Sequence, residues 1–121
     1  MKHLQKGRKL GRVRNQRTAL FRTMLGSLIM QEKIKTTEAK AKEMKSKIDK
    51  LINKAKLTKI ETKKVAVLRD LRVSIPLMAV KKLSGEFLDK FSKRTSGYTR
   101  IVKLEARKGD AAKMAIIEFV D

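Results

Sequence analysis

With 121 residues the chain is sized for one domain and can bury about two-thirds of its unfolded surface. It carries 32 Lys and Arg against 12 Asp and Glu, a net charge of +20 that opposes compaction and calls for a counter-charged partner. Cys is absent and His3 is the only His, so disulfides, thiolate sites and His-cluster metal sites are excluded, and no apolar run reaches the length of a membrane span.

Lys2, Lys6, Arg8, Lys9, Arg12 and Arg14 crowd the start of the chain, and no acidic residue precedes Glu32. With so little to bury, residues 1–14 form a basic arm that is expected to be disordered alone and to order on a large, charge-dense anion. Nucleic acid fits, because Arg forks take phosphates bidentately and binding releases condensed counterions. A solvated basic tail is the plain alternative. The remainder, residues 15–121, reads as a single domain. From about Asn15 to Gln31, Leu20, Met24 and Leu28 recur at i, i+4, i+8, and Phe21 and Leu25 widen the stripe. This predicts an amphipathic helix with Arg14, Arg17 and Arg22 at or in its first turns.

Lys33–Thr37 is short and β-branched and reads as a strand with Ile34 facing in. Thr36 or Thr37 is placed to cap a helix running to about Lys56, with Glu38 near its positive end. That helix buries Ala41, Met44, Ile48, Leu51 and Ala55. Between them lie Lys40, Lys42, Lys45, Lys47, Lys50 and Lys54 against only Glu43 and Asp49, a face either solvated or turned to RNA. Leu20, Leu25 and Leu28 are expected to pack on Ile48 and Leu51 or on Ile117 and Phe119.

Thr58 with Glu61 has the spacing of a capping box, opening a helix through Val67, Leu68 and Leu71. Pro76, the only proline, marks a new first turn. Leu77, Val80 and Leu83 then form a short helix ending near Gly85, and Phe87, Leu88 and Phe91 add a turn or two. Lys93 to Gly97 is a polar, basic loop. Two strand-like runs close the chain, Tyr98–Leu104 and Met114–Val120. The second is apolar on both faces apart from Glu118, as in a central or covered strand. Arg107-Lys108-Gly109-Asp110 is a turn signal. The two runs can form a hairpin, or the strand of Ile34 can lie between them. The pattern is α+β, a two-layer domain with helices on one face of a small sheet.

No glycine loop has the spacing of a nucleotide-binding fold, no Ser sits in a nucleophile elbow, and the acids are scattered, so an enzyme is not expected. Three binding readings remain: a structural RNA-binding protein, a DNA-architectural protein, and a membrane-surface protein using residues 14–29 as a basic amphipathic helix. No helix-turn-helix or zinc finger is evident. One Tyr and four Phe are too few for a base-stacking module. Backbone and shape recognition of folded RNA fits best.

The residues also resemble a family. Met1-Lys2-His3, Gly7-Arg8-Lys9-Leu10 with Arg12, Ala19-Leu20-Phe21-Arg22, Ile34-Lys35-Thr36-Thr37 and Lys40-Ala41-Lys42-Glu43 look like bacterial large-subunit ribosomal protein seventeen. Gly97-Tyr98-Thr99-Arg100-Ile101, Gly109-Asp110-Ala111-Ala112, Met114-Ala115 and Ile117-Glu118 continue the match in order. The resemblance implies a small mixed three-stranded sheet and a structural, non-enzymatic role in the cytoplasmic ribosome. It also implies binding to large-subunit ribosomal RNA near the outer opening of the nascent-chain tunnel, beside neighbouring large-subunit proteins. No cofactor, metal, membrane or small-molecule substrate is expected. The RNA-binding set expected is Lys2, His3, Lys6, Arg8, Lys9, Arg12, Arg14, Arg17, Arg22, Lys35, Lys40, Arg94, Tyr98, Arg100, Arg107 and Lys108.

Overall fold

The structure, a computed structural model, describes residues 10–120. The expected basic arm therefore lies outside the described residues up to Lys9. Helix α1 spans Arg14–Gln31 and stops where Glu32 turns left-handed at φ 68°, its N–H donating to Leu28 O at 2.7 Å. One residue thus joins helix to strand, and β1 (Lys33–Thr37) doubles back alongside α1. Helix α2 (Glu38–Lys56) follows without a gap. Neither Thr36 nor Thr37 caps it: Thr37 stands at the cap position without a side-chain bond. Instead Glu38 N–H donates across to Lys113 O at 2.9 Å, so the neighbouring strand satisfies the first donor.

The expected capping box at Thr58 does not form. Thr58 lies in a 3-10 turn, Leu57–Lys59, and its Oγ1 donates back to Ala55 O at 2.7 Å. Helix α3 (Glu61–Ser74) starts after Ile60 with no side-chain cap. Pro76 sits at the N-cap of α4 (Leu77–Leu83). There Leu77 is exposed, and Ala79, Val80 and Leu83 carry the contact instead. A 3-10 stretch, Glu86–Phe91, leads through the basic loop to β2 (Thr99–Lys103) and β3 (Met114–Phe119).

The apolar last strand lies in the middle, in the order β1-β3-β2. Both pairings are antiparallel, so β2 and β3 form the hairpin and the sheet is not mixed. The reason is local: β1 and β2 both run opposite to β3, and no crossover to a parallel neighbour occurs among the described residues. One face of the sheet carries Ile34, Ile101, Ala115, Ile117 and Phe119 into the helices. The other keeps Lys33, Lys35, Arg100 and Val102 in the open.

The helical layer closes the core with Leu25, Leu28 and Ile29 of α1, Met44, Ile48 and Ile52 of α2, Leu71 of α3 and Leu83 of α4. Leu25 and Leu28 join one cluster with Ile48, Leu51, Ile117 and Phe119, as expected. Leu20 does not: it is half-buried and turned toward β1, because the buried stripe of α1 is centred on Phe21, Leu25 and Leu28. At Gly26 the backbone of α1 comes close to the start of α4, since a Cβ there would stand 2.8 Å from Pro76 Cδ. Phe87, Phe91, Tyr98 and Phe119 pack edge to face or tilted, with centroids 5.1–5.5 Å apart. All five aromatic side chains are buried or half-buried, which leaves no aromatic platform for stacking bases.

Candidate nucleic-acid interface

The carboxylates are largely occupied within the fold. Glu32 meets Lys90 at 2.9 Å and Lys82 at 3.6 Å, Glu38 meets Lys42 at 2.9 Å, and Asp89 meets Lys59 at 2.7 Å. The hydrogen bonds from Lys90 and Lys42 hold Glu32 and Glu38 below the usual carboxylate range. Asp49 accepts the backbone N–H groups of Gly97 and Tyr98 at 3.3 Å. Each acid so placed ties the fold together and leaves the cationic excess on the surface.

Part of that excess lies between α1 and α2. Arg17 and Arg22 on one side and Lys47, Lys50 and Lys54 on the other line a groove of about 390 Å³, closed at one end by Val73 and Ser74. Phe21, Leu25 and Leu51 are among its apolar lining residues, no carboxylate lines it among the described residues, and Asp70 meets Lys54 Nζ at 3.8 Å from outside it. Lys47 Nζ lies 5.0 Å from the Phe21 ring centroid, a cation over an aromatic face. Arg22 donates to Arg72 O at 3.2 Å and Ile75 O at 3.4 Å, satisfying carbonyls at the end of α3 and fixing its guanidinium at the groove wall. Arg17 donates to Arg12 O at 3.2 Å, and Arg12 to Leu10 O at 2.7 Å. These bonds seat residues 10–13 at the start of α1. Arg14 is the exposed first residue of the helix. The arrangement can take anionic oxygens at several points along one line, as a phosphate backbone offers them.

Of the expected RNA-binding residues, Arg17 and Arg22 line this groove, and Arg12 and Arg14 stand just before and at the start of the same helix. Lys2, His3, Lys6, Arg8 and Lys9 lie outside the described residues. Lys35 and Lys40 stand on the other side of α1, lining a separate depression against β1. Arg100 is on the open sheet face, paired with Glu118 at 2.7 Å. Arg107 forks onto Asp110 (Nε–Oδ1 3.0 Å), which raises the Arg107 pKa and holds the Asp110 carboxyl well below its ordinary range. Lys108 is exposed in the same turn, and the backbone carbonyl of Arg94 accepts from Lys56.

Tyr98 lies inside the fold. It is 0% exposed, its ring stacks edge-on with Phe91 at 5.3 Å, and its hydroxyl bonds Asn53 and Lys56. Its polar handle is used inside the fold, so no face of it is free for RNA. Conversely, the structure sets Lys47, Lys50 and Lys54 apart from the other lysines of α2. Their i, i+3, i+7 spacing flanks the buried stripe on the side of α1, and that spacing was the available signal.

A membrane-surface role would need the apolar side chains of α1, yet Phe21, Leu25, Leu28 and Ile29 are buried in the core. No helix among the described residues is long and apolar enough to cross a membrane, and no group of three or more metal-ligating side chains occurs there.

Comparison with known proteins is consistent along the chain. The family described as ribosomal protein L17 matches residues 20–120. The large ribosomal subunit protein bL17 of Rubrobacter xylanophilus is 45% identical over 123 residues, covering 100% of this chain and 97% of that protein. Its counterpart from Pelobacter propionicus is 42% identical over 121 residues, covering 100% and 92%. That of Staphylococcus haemolyticus is 42% identical over 120 residues, covering 94% and 98%.

Proposed function

The chain belongs to the ribosomal protein L17 family and is a structural constituent of the large ribosomal subunit, and from that premise we propose that it holds large-subunit ribosomal RNA through phosphate and shape contacts. Its seat in this reading is the outer surface of the subunit near the mouth of the nascent-chain tunnel, beside other large-subunit proteins, in the cytoplasm. Motif resemblance supports that location.

One observation carries the RNA reading: the groove between α1 and α2, with Arg17, Arg22, Lys47, Lys50 and Lys54 on its walls and no carboxylate among its described lining residues. Sequestered aromatics argue for backbone contacts over base stacking. The basic residues 2–9 add charge to the same binding. The test is equilibrium binding to large-subunit ribosomal RNA across a salt series. A triple variant, Arg17→Ala with Lys47→Ala and Lys50→Ala, should reduce the log–log salt slope by about 3, roughly one per lost phosphate contact. Its denaturant melt should match the parent's. An unchanged slope would mean the groove does not hold the RNA.

A further inference from the structure

A second basic concavity lies on the other side of α1. Between α1 and β1 runs a depression of about 550 Å³ with Lys33, Lys35 and Lys40 on its lip and Leu20, Met24 and Ile34 among its floor residues. It adjoins a depression of about 450 Å³ under the β2–β3 turn, which shares Lys35 and adds Lys108. The two meet at Lys35 and are taken together as a trough. Among the described residues, Lys33, Lys35, Lys40 and Lys108 have no ion-pair partner, and Glu105 is the only carboxylate on the trough wall.

The strand edge adds donors. β1 is an edge strand, bonded to β3 at its ends through Phe119 N–H to Glu32 O (3.2 Å) and Glu38 N–H to Lys113 O. By the two-residue alternation, the main-chain groups of Lys33 and Lys35 therefore turn to the free edge, into the trough. Unpaired ammonium groups, free N–H donors and an apolar floor suit a sugar-phosphate strand lying lengthwise. The α1/α2 groove and this trough share no lining residue, and the body of α1 separates them. A helix with its side chains is about 10–12 Å across.

We propose that α1 is a wedge lodged between two segments of ribosomal RNA backbone, one in the groove and one in the trough, so that the domain ties those segments together. This rests on the RNA-binding reading above and extends it from one contact to a bridge. Self-repulsion makes the geometry sensible: each cationic wall of α1 is relieved by its own strand, and neither strand need approach the other closer than a helix diameter.

The chain has no Cys, so a single introduced thiol can carry an iron chelate that cleaves nearby RNA by hydroxyl radicals. Thr18→Cys reports on the groove and Gln31→Cys on the trough, both at exposed lining positions. Thr23→Cys, also exposed on the trough side, replaces Gln31→Cys if the latter does not enter subunits. Large subunits containing each variant are isolated and cleaved. Two sets of cuts sharing no nucleotides are expected. Adding Lys33→Ala, Lys35→Ala and Lys40→Ala should weaken the trough cuts at least tenfold and spare those from Thr18→Cys. Cuts from Thr18→Cys alone would overturn the bridge and leave the trough to a protein neighbour or solvent. Identical cuts from both probes would overturn it in favour of a single strand. If the parent chain itself is missing from large subunits, the underlying ribosomal reading fails instead.

Discussion

Gly26→Ala probes how rigidly α1 is seated, and α1 lines both the groove against α2 and the depression against β1. On an open helix face this change stabilises, because Gly costs about 0.5–1 kcal/mol relative to Ala in a helix interior. Here the new methyl would stand 2.8 Å from Pro76 Cδ and 2.9 Å from Pro76 Cγ. Those are ring atoms with no rotamer to escape into. Pro76 is itself held: its carbonyl accepts Val80 N–H at 3.1 Å, and Ile75 before it is 0% exposed. Overpacking of this kind costs about 1–3 kcal/mol. Setting that against the propensity gain, Gly26→Ala should lose up to about 2 kcal/mol in the parent.

The same change should behave differently once the ring is gone. In Pro76→Ala the clashing Cγ and Cδ are absent, and the remaining Cβ lies 4.0 Å from the new methyl, an ordinary contact. Gly26→Ala on that background should gain up to about 1 kcal/mol. The difference between backgrounds, about 1–3 kcal/mol, is the coupling between α1 and α4. Urea melts of the four proteins measure it. A coupling within about 0.5 kcal/mol, the scatter of independent sites, would refute the close seating of α1 on Pro76.

Other consequences can be checked with the same melts. Leu28→Ala, at a site 0% exposed, should cost about 2–5 kcal/mol, and the half-buried Leu20→Ala distinctly less; equal costs would contradict the placement of Leu20 beside the trough. Tyr98→Phe should cost about 1–3 kcal/mol through its lost bonds to Asn53 and Lys56 and leave RNA affinity unchanged, whereas weakened binding at full stability would restore Tyr98 as an RNA contact. The Glu32 pKa is depressed from its ordinary 4.5, mainly by the hydrogen bond from Lys90, so its contribution is present above that value and lost as the pH falls through the folded pKa. Melts taken from neutral to acid pH should show a shallower acid loss for Glu32→Gln than for the parent, and parallel curves would show that the Lys90 contact contributes nothing.

Much of this fold can be read from periodicity. The stripe Ala41, Met44, Ile48, Leu51, Ala55 identifies α2, because a 3.6-residue repeat of apolar groups has one way to bury itself. The doubly apolar run at Met114–Phe119 identifies the central strand for a similar reason. What escaped depends on contacts between distant segments. Thr58 has the spacing of a cap, but Ala55 O competes for its hydroxyl. Glu38 N–H is satisfied by Lys113, far along the chain. Tyr98 follows a polar loop and stands in the expected RNA-binding set, yet the Phe91 ring and Asn53 draw it inside. For the interface, Arg17 and Arg22 are legible as charge at or in the first turns of an apolar helix stripe. The division of the lysines is not. Lys47, Lys50 and Lys54 line the groove while Lys40 lines the trough; the i, i+3, i+7 spacing groups the first three, but where α1 and β1 pack against α2 decides which surface each reaches.

Incorporation into the large ribosomal subunit through a grip on RNA has a direct readout in the cell. Sedimentation of extract from cells producing the tagged chain, through a gradient after a high-salt wash, tests it most directly. The chain should travel with the large subunit and be released when the RNA is digested. A chain that stays at the top of the gradient, or sediments with the nucleoid, would contradict this incorporation.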